Sequence, residues 1–157
     1  AEGDRDGAIA MLQEVIKDEP TNYGLHTELC DLLIMVGRRD EARQILDALP
    51  KDAEGLAKPQ HRLEFLDLAE GLPALADLAR ELEGDPDNLQ LLLNLTITQV
   101  VDDDMEAALL NLLSMLQKNR QFQDDIARKT MIKIFDLLGK GNSLASEYRK
   151  KMFNVMH

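Results

Sequence analysis

The sequence is poor in the residues that stabilise secreted and β-rich proteins. It has no tryptophan, four phenylalanines, two tyrosines and one cysteine, Cys30. A single cysteine excludes an internal disulfide framework and fits a reducing compartment. Abundant leucine and alanine beside few aromatic and β-branched residues favour an all-α fold. No stretch approaches the roughly 20 apolar residues that a membrane helix needs. Segment 1–7 is acidic and does not resemble a secretory signal. We therefore expect a cytoplasmic, helical protein without a membrane span.

Positive charge is also scarce. The chain has 18 basic and 29 acidic residues, a net charge of −11. This balance argues against a nucleic-acid partner, because phosphates need clustered Lys and Arg. The charge is uneven: residues 1–106 contain nine basic and 25 acidic residues (−16), whereas residues 107–157 contain nine basic and four acidic residues (+5). The asymmetry either orients partners at long range or reflects ordinary solvated helix faces, and the sequence leaves both open.

Internal repetition is the most informative positive signal. Four pairs of positions recur after 34 residues: Gly3 and Gly37, Ala8 and Ala42, Leu12 and Leu46, Val15 and Leu49. A small residue followed by larger ones on the same helix face lets two antiparallel helices approach and fill the seam between them. The period and residue types resemble the tetratricopeptide repeat (TPR) family. The resemblance implies an all-α solenoid of antiparallel helical hairpins.

The same register divides the chain into successive units. Cys30 and Thr96 fall at the small position of the first helix, Gly37 at an inter-helix turn, and Gly55 and Pro59 in a predicted loop. We expect one TPR-like domain over residues 1–157: the second half of a repeat at 1–22, a repeat at 23–50, an irregular hairpin at 51–86, a repeat at 87–120 and a terminal helix pair, with a capping last helix, at 121–157. Gly3 is expected at a turn, so we also expect a preceding helix in a longer chain.

The C-terminal segment carries a more specific pattern. Its characteristic positions are Asp124, Asp125, Ala127, Arg128, Lys129, Phe135, Leu138, Gly139, Tyr148 and Arg149. These positions resemble the C-terminal half of YbbN-type thioredoxin-like co-chaperones, also called chaperedoxins. The resemblance implies a thioredoxin-like domain upstream, and it implies that this half binds unfolded clients or Hsp60- and Hsp70-type chaperones. This chain itself has no Cys-x-x-Cys motif.

A concave groove is the first candidate binding site. By their TPR consensus positions the expected groove residues are Thr27, Asp31, Ile34, Gln90, Leu93, Ile97 and Val100. These positions lack the Lys, Arg and Asn residues with which some TPR domains clamp acidic C-terminal peptides. An apolar groove with one acidic residue would instead suit an apolar or weakly basic segment. Alternatively, the irregular hairpin and the terminal helices fill the groove.

The last helix is the second candidate. Its expected docking residues are Tyr148, Arg149, Met152, Phe153 and Met156. A Met-rich, aromatic stripe flanked by cations can serve as an adaptable docking surface. The same stripe can simply cap the last repeat.

Catalytic chemistry has no convincing candidate in the sequence. Cys30 lies at a packing position, although a redox or client-trapping role stays open. The three histidines lack metal-ligand spacing, and Asp102–Asp104 reads as a solvated turn before a helix rather than a calcium loop. We expect no catalytic residue, metal or cofactor. The predicted function is a non-catalytic protein–protein interaction domain of a chaperone-associated protein; the alternative is a generic bacterial TPR scaffold that assembles an enzyme or regulatory complex.

Overall fold

The computed structural model describes residues 2–157, and side chains from residue 3 onward. Within this range the chain forms nine α-helices and no strand. The helices are α1 (Glu2–Asp18), α2 (Tyr23–Met35), α3 (Arg39–Ala48), α4 (Ala57–Ala69), α5 (Leu75–Gly84), α6 (Leu89–Val101), α7 (Met105–Asn119), α8 (Ile126–Leu138) and α9 (Ser143–Met156). The all-α prediction is confirmed. None of the helices described combines the length and apolarity needed to cross a bilayer.

The chain divides into two compact units, Ala1–Glu64 and Phe65–His157. In the first unit, α1 packs against α2 and α2 against α3. In the second, each helix from α5 to α9 packs against the next, and α9 also packs against α7. Within α1–α3 and within α5–α9, consecutive helices are therefore neighbours in space, as in stacked hairpins.

Small side chains at matching positions bring paired helices together. Cys30 on α2 and Ala42 on α3 are both fully buried, and the Cys30 Sγ lies 3.7 Å from the Ala42 carbonyl oxygen. Sixty-six residues later, Thr96 on α6 and Ala108 on α7 are also fully buried. The hydroxyl of Thr96 donates to the Leu92 carbonyl at 2.7 Å, so its polar atom is satisfied within its own helix. The small-residue register read from the sequence thus marks real helix–helix contacts.

Several helix ends follow the expected capping chemistry. The side chains of Asn88, Asp104 and Asn142 each accept a hydrogen bond from a backbone N–H in the first turn of α6, α7 and α9. Gly37 and Gly139 have φ values of +86°, the left-handed conformation that commonly ends a helix. The acidic turn at Asp102–Asp104 therefore acts as the predicted helix start.

Two local expectations were wrong. Gly3 lies inside α1 instead of at a turn. Pro59 does not break the chain: it lies in the first turn of α4, where a backbone N–H has no intrahelical partner to lose. Asp125 occupies the N-cap position of α8, with its backbone in a left-handed conformation and without a capping hydrogen bond from its side chain.

Candidate interaction surfaces

In the first unit, the residues expected to line a groove are buried by the chain itself. The Thr27 hydroxyl donates to the Glu54 carbonyl at 2.7 Å. The Asp31 carboxylate accepts from Arg62 Nε at 2.6 Å, and Lys58 Nζ lies 3.8 Å from its second oxygen. Ile34 is also buried. The loop before α4 and the first turns of α4 thus cover Thr27 and Asp31 on α2. Asp31, the one acidic residue expected in the groove, is already paired.

Gly55 makes this close approach possible. Its φ is +79°, and a Cβ at this position would lie 2.8 Å from the Thr27 Oγ1. Only glycine combines that backbone conformation with that clearance at low cost. The contact between the loop and α2 is therefore built into the sequence at residue 55.

In the second unit, most of the expected groove residues belong to the hydrophobic core. Leu93, Ile97 and Val100 are buried within one cluster of apolar side chains. Gln90 is exposed, donates to Asn94 Oδ1 at 2.9 Å and accepts from Gln123 Nε2. The structure therefore leaves one of these four residues at the surface, in a short network of polar side chains.

Helix α9 has an inner face that caps the core of its unit. Ala145 and Tyr148 are buried, and Leu144, Met152 and Val155 pack against the same cluster. Of the five residues expected to dock a partner, Tyr148 is buried, Met152 and Met156 are half-buried, and Arg149 and Phe153 are exposed. The stripe predicted from spacing therefore divides between two faces of the helix.

The outer face of α9 combines an exposed aromatic ring with cations. Phe153 is 62% exposed, and its ring centroid lies 4.5 Å from that of His157. A shallow depression of about 370 Å³ is lined by Arg149, Lys150, Phe153 and Asn154. Lys150 is one of the cations expected to flank the stripe, whereas Asn154 was not foreseen from the sequence. The signal in the sequence is the i, i+4 spacing of Lys150 and Asn154. Arg149 and Phe153 have the same spacing, and residues four apart are neighbours on a helix surface. We call these four residues the α9 outer surface.

The cations along α9 differ in how they are engaged. Lys151 pairs with Glu147 at 3.0 Å, and this hydrogen bond raises the pKa of the lysine. The Arg149 guanidinium lies 5.0 Å from the ring centroid of Phe135. Within the described part of the chain, neither Arg149 nor Lys150 has a carboxylate partner. The α9 outer surface therefore carries two positive charges that no described acidic side chain neutralises.

A second depression, of about 750 Å³, lies in the first unit beside the loop between α3 and α4. Its lining includes Leu46, Leu49, Pro50, Lys51 and Gln60. This cavity was not foreseen from the sequence. The lining combines these apolar side chains with the charged residues Asp47, Lys51 and Asp52.

Cys30 has the environment of a packing residue. Its side chain is fully buried, and burial together with the nearby Asp31 raises the thiol pKa from 9.0 to about 12. Because the thiolate is the reactive form, such a cysteine is a poor nucleophile at neutral pH. The described residues contain no group of three His, Cys, Asp or Glu side chains that could hold a metal ion.

The C-terminal positions that resemble the co-chaperone family mostly join α8 to α9. Ala127, Phe135 and Tyr148 are buried in the core, Gly139 ends α8, and Arg149 lies over Phe135. On the surface, Asp124 pairs with Lys129 at 3.0 Å. The pattern therefore describes how a terminal helix pair is packed.

Comparisons with known proteins identify a family and a similar solved structure. No curated protein matches the chain. Among solved structures, a domain of protein VP0806, of unknown function, from Vibrio parahaemolyticus is similar at 27% identity; the match covers 99% of this chain and 92% of that one, with a TM-score of 0.48. The tetratricopeptide repeat family matches twice, over residues 1–61 and over residues 68–157. Since the second match alone spans more than half of the chain, the protein belongs to the tetratricopeptide repeat family, and the predicted all-α, TPR-like solenoid fold is confirmed.

Proposed function

We propose that this chain is the polypeptide-binding part of a cytoplasmic co-chaperone that also contains a thioredoxin-like domain. TPR domains generally act as non-catalytic scaffolds for protein–protein interaction, and the repeat match along both units carries that part of the proposal. The finer assignment, to a chaperedoxin-like protein, rests on the C-terminal pattern from Asp124 to Arg149. The proposed ligands are unfolding client proteins and Hsp60- or Hsp70-type chaperones.

The distribution of exposed groups supports binding at the surface of the second unit. Leu93, Ile97 and Val100 are engaged in the core, so they offer no open groove to a ligand. Phe153 and the cations beside it are exposed on α9. A mixed aromatic and cationic surface of this kind suits polypeptide ligands, because aromatic and Arg side chains contribute most of the binding energy in many protein interfaces.

An aggregation assay tests the co-chaperone proposal. A reporter enzyme is heated with the chain in molar excess, and light scattering is followed, with serum albumin at equal mass as the control. We expect the chain, but not albumin, to suppress scattering. Equal scattering in both samples would contradict client holding.

Direct binding separates the proposal from a generic scaffold. Purified Hsp60- and Hsp70-type chaperones are titrated against the immobilised chain, with a folded TPR domain of unrelated sequence as the control. Saturable binding to this chain alone supports the co-chaperone assignment. The scaffold alternative would be favoured if the chain neither suppresses scattering nor binds these chaperones and instead co-purifies with a folded enzyme complex.

A further inference from the structure

We propose that the α9 outer surface binds an acidic polypeptide segment that carries an apolar side chain between or beside its carboxylates. The surface consists of Arg149, Lys150, Phe153 and Asn154. The proposal deepens the proposed function by naming the chemistry of one partner, and it rests on that function only in treating the chain as an interaction module.

The chemistry of the four side chains defines the ligand. Arg149 and Lys150 provide charge and N–H donors for carboxylates. The exposed ring of Phe153 provides an apolar contact, and the Asn154 amide can donate to and accept from an extended peptide backbone. A basic segment would meet like charges at this surface. A purely acidic segment would leave the Phe153 ring in water.

Two contacts hold the surface in place before a ligand arrives. The Arg149 guanidinium rests over the buried Phe135 ring, with 5.0 Å between the guanidinium carbon and the ring centroid. The Phe153 ring lies against His157, with 4.5 Å between the centroids. Both contacts restrict side-chain motion, and a restricted surface loses less conformational entropy on binding. The α9 helix itself is anchored by Tyr148 in the core.

The net charge of the whole chain does not oppose this partner at physiological salt. The chain carries −11 overall, but residues 107–157 carry nine basic and four acidic residues. Because charges more than about 8 Å apart are largely screened at physiological ionic strength, the local cations decide the attraction. The surface holds two unpaired cations, whereas lipid headgroups and nucleic acids call for larger basic clusters of about 4–8 residues. The geometry therefore favours a peptide over a membrane or a nucleic acid.

Fluorescence anisotropy with synthetic peptides tests the proposal on the full chain. The probe is a labelled peptide of glutamates around a central Phe-Leu pair. One comparison peptide replaces this pair with alanines, and another replaces every glutamate with lysine. We expect the probe to bind at least about tenfold more tightly than either comparison peptide. Equal or tighter binding of the lysine peptide would overturn the proposal.

Matched variants locate the site. Phe153→Ala and Lys150→Glu should each weaken probe binding by about tenfold or more. Leu110→Ala removes an equally exposed apolar side chain from α7, and Lys140→Glu reverses an exposed charge in the turn before α9; each should change affinity by less than about twofold. Circular dichroism verifies that all four variants keep the wild-type helix content. Affinities in Phe153→Ala and Lys150→Glu that match those of the control variants would place the ligand elsewhere.

Two further outcomes distinguish this inference from its alternatives. Phosphatidylserine vesicles and single-stranded DNA are tested in the same way. If either binds through Phe153 and Lys150 more tightly than the probe, the ligand belongs to that class and the peptide proposal is wrong. Client holding that persists while the acidic probe fails to bind would refute this surface and leave the co-chaperone proposal standing. Probe binding without client holding would support this surface and contradict the co-chaperone proposal.

Discussion

Three polar residues of α2 are buried, and each finds its partner on another segment. Thr27 donates to the Glu54 carbonyl, Cys30 contacts the Ala42 carbonyl, and Asp31 pairs with Arg62. Among the described residues, no buried side-chain nitrogen or oxygen lacks a hydrogen-bond partner. Buried polar groups are costly unless they are satisfied, so these three contacts fix which loop and which helix can lie against α2.

Cys30 should react with thiol reagents only when the protein opens. Burial raises its pKa to about 12, so the thiolate stays a small fraction of the native protein even at pH 9. We expect a chromogenic disulfide reagent to label native protein far more slowly than protein in concentrated urea, at both pH 7 and pH 9. Fast stoichiometric labelling of native protein would contradict the packing role and revive a redox function.

The Asp31–Arg62 pair should contribute to the stability of the first unit. The two side chains are 8% and 15% exposed, and Asp31→Ala would leave the Arg62 charge without its carboxylate. Breaking a largely buried pair in this way should lower the free energy of unfolding by about 3 kcal/mol. Urea denaturation of Asp31→Ala, Arg62→Ala and the double variant measures the loss and the coupling between the two residues.

The exposed pair of Arg38 and Glu41 is the matched control for that cycle. Its atoms are 2.7 Å apart, close to the 2.6 Å of the buried pair, but both side chains are largely in water. Solvent screens such a pair, so its coupling should be much smaller than that of Asp31 and Arg62. Equal coupling in the two cycles would show that burial does not strengthen the Asp31–Arg62 contact.

At the scale of one helix, one face of α9 caps the core of the second unit and the other face is exposed. Tyr148→Ala removes a ring that is 3% exposed and should destabilise the second unit by about 3–5 kcal/mol. Phe153→Ala removes a ring that is 62% exposed and should change stability by less than about 0.5 kcal/mol. Thermal and urea unfolding of the two variants provide the comparison. A large loss of stability in Phe153→Ala would mean that the outer face is packed in solution and unavailable for docking.

Small-residue contacts and the turn at Gly37 were predictable from the sequence, whereas the starts of α1 and α4 and the direction of several side chains were not. Periodicity located Ala42, Thr96 and Gly37 because these positions depend on local geometry and on the repeat. The pairing of Asp31 with Arg62 depends on an irregular loop that no consensus position describes. The exposure of Phe153 depends on how α9 is rotated about its axis against α7 and α8, and residue spacing alone does not determine this rotation.

At the scale of the whole molecule, the two units differ in the amount of core they contain. Among the described residues, seven buried hydrophobic residues lie at positions up to 64, and 21 lie from position 65 onward. The contacts of α2 in the first unit include the buried Asp31–Arg62 ion pair and the close approach at Gly55. The core of the second unit consists largely of leucine, methionine and phenylalanine side chains. Because stability follows buried apolar area, the second unit should be the more stable one.

Native-state hydrogen exchange should reveal this difference directly. We expect backbone amides of α2 and α3 to exchange through lower-energy openings than those of α7 and α8, measured by mass spectrometry of peptic peptides. Gly55→Ala should widen the gap, because the added Cβ meets the Thr27 hydroxyl and the residue must keep a positive φ. Gly37→Ala is the control: Gly37 has a similar positive φ but open space around it, so this substitution should have the smaller effect. If Gly55→Ala instead accelerates exchange equally in α2 and α7, the two units unfold together in one cooperative transition. The smaller core of the first unit would then not allow it to open separately.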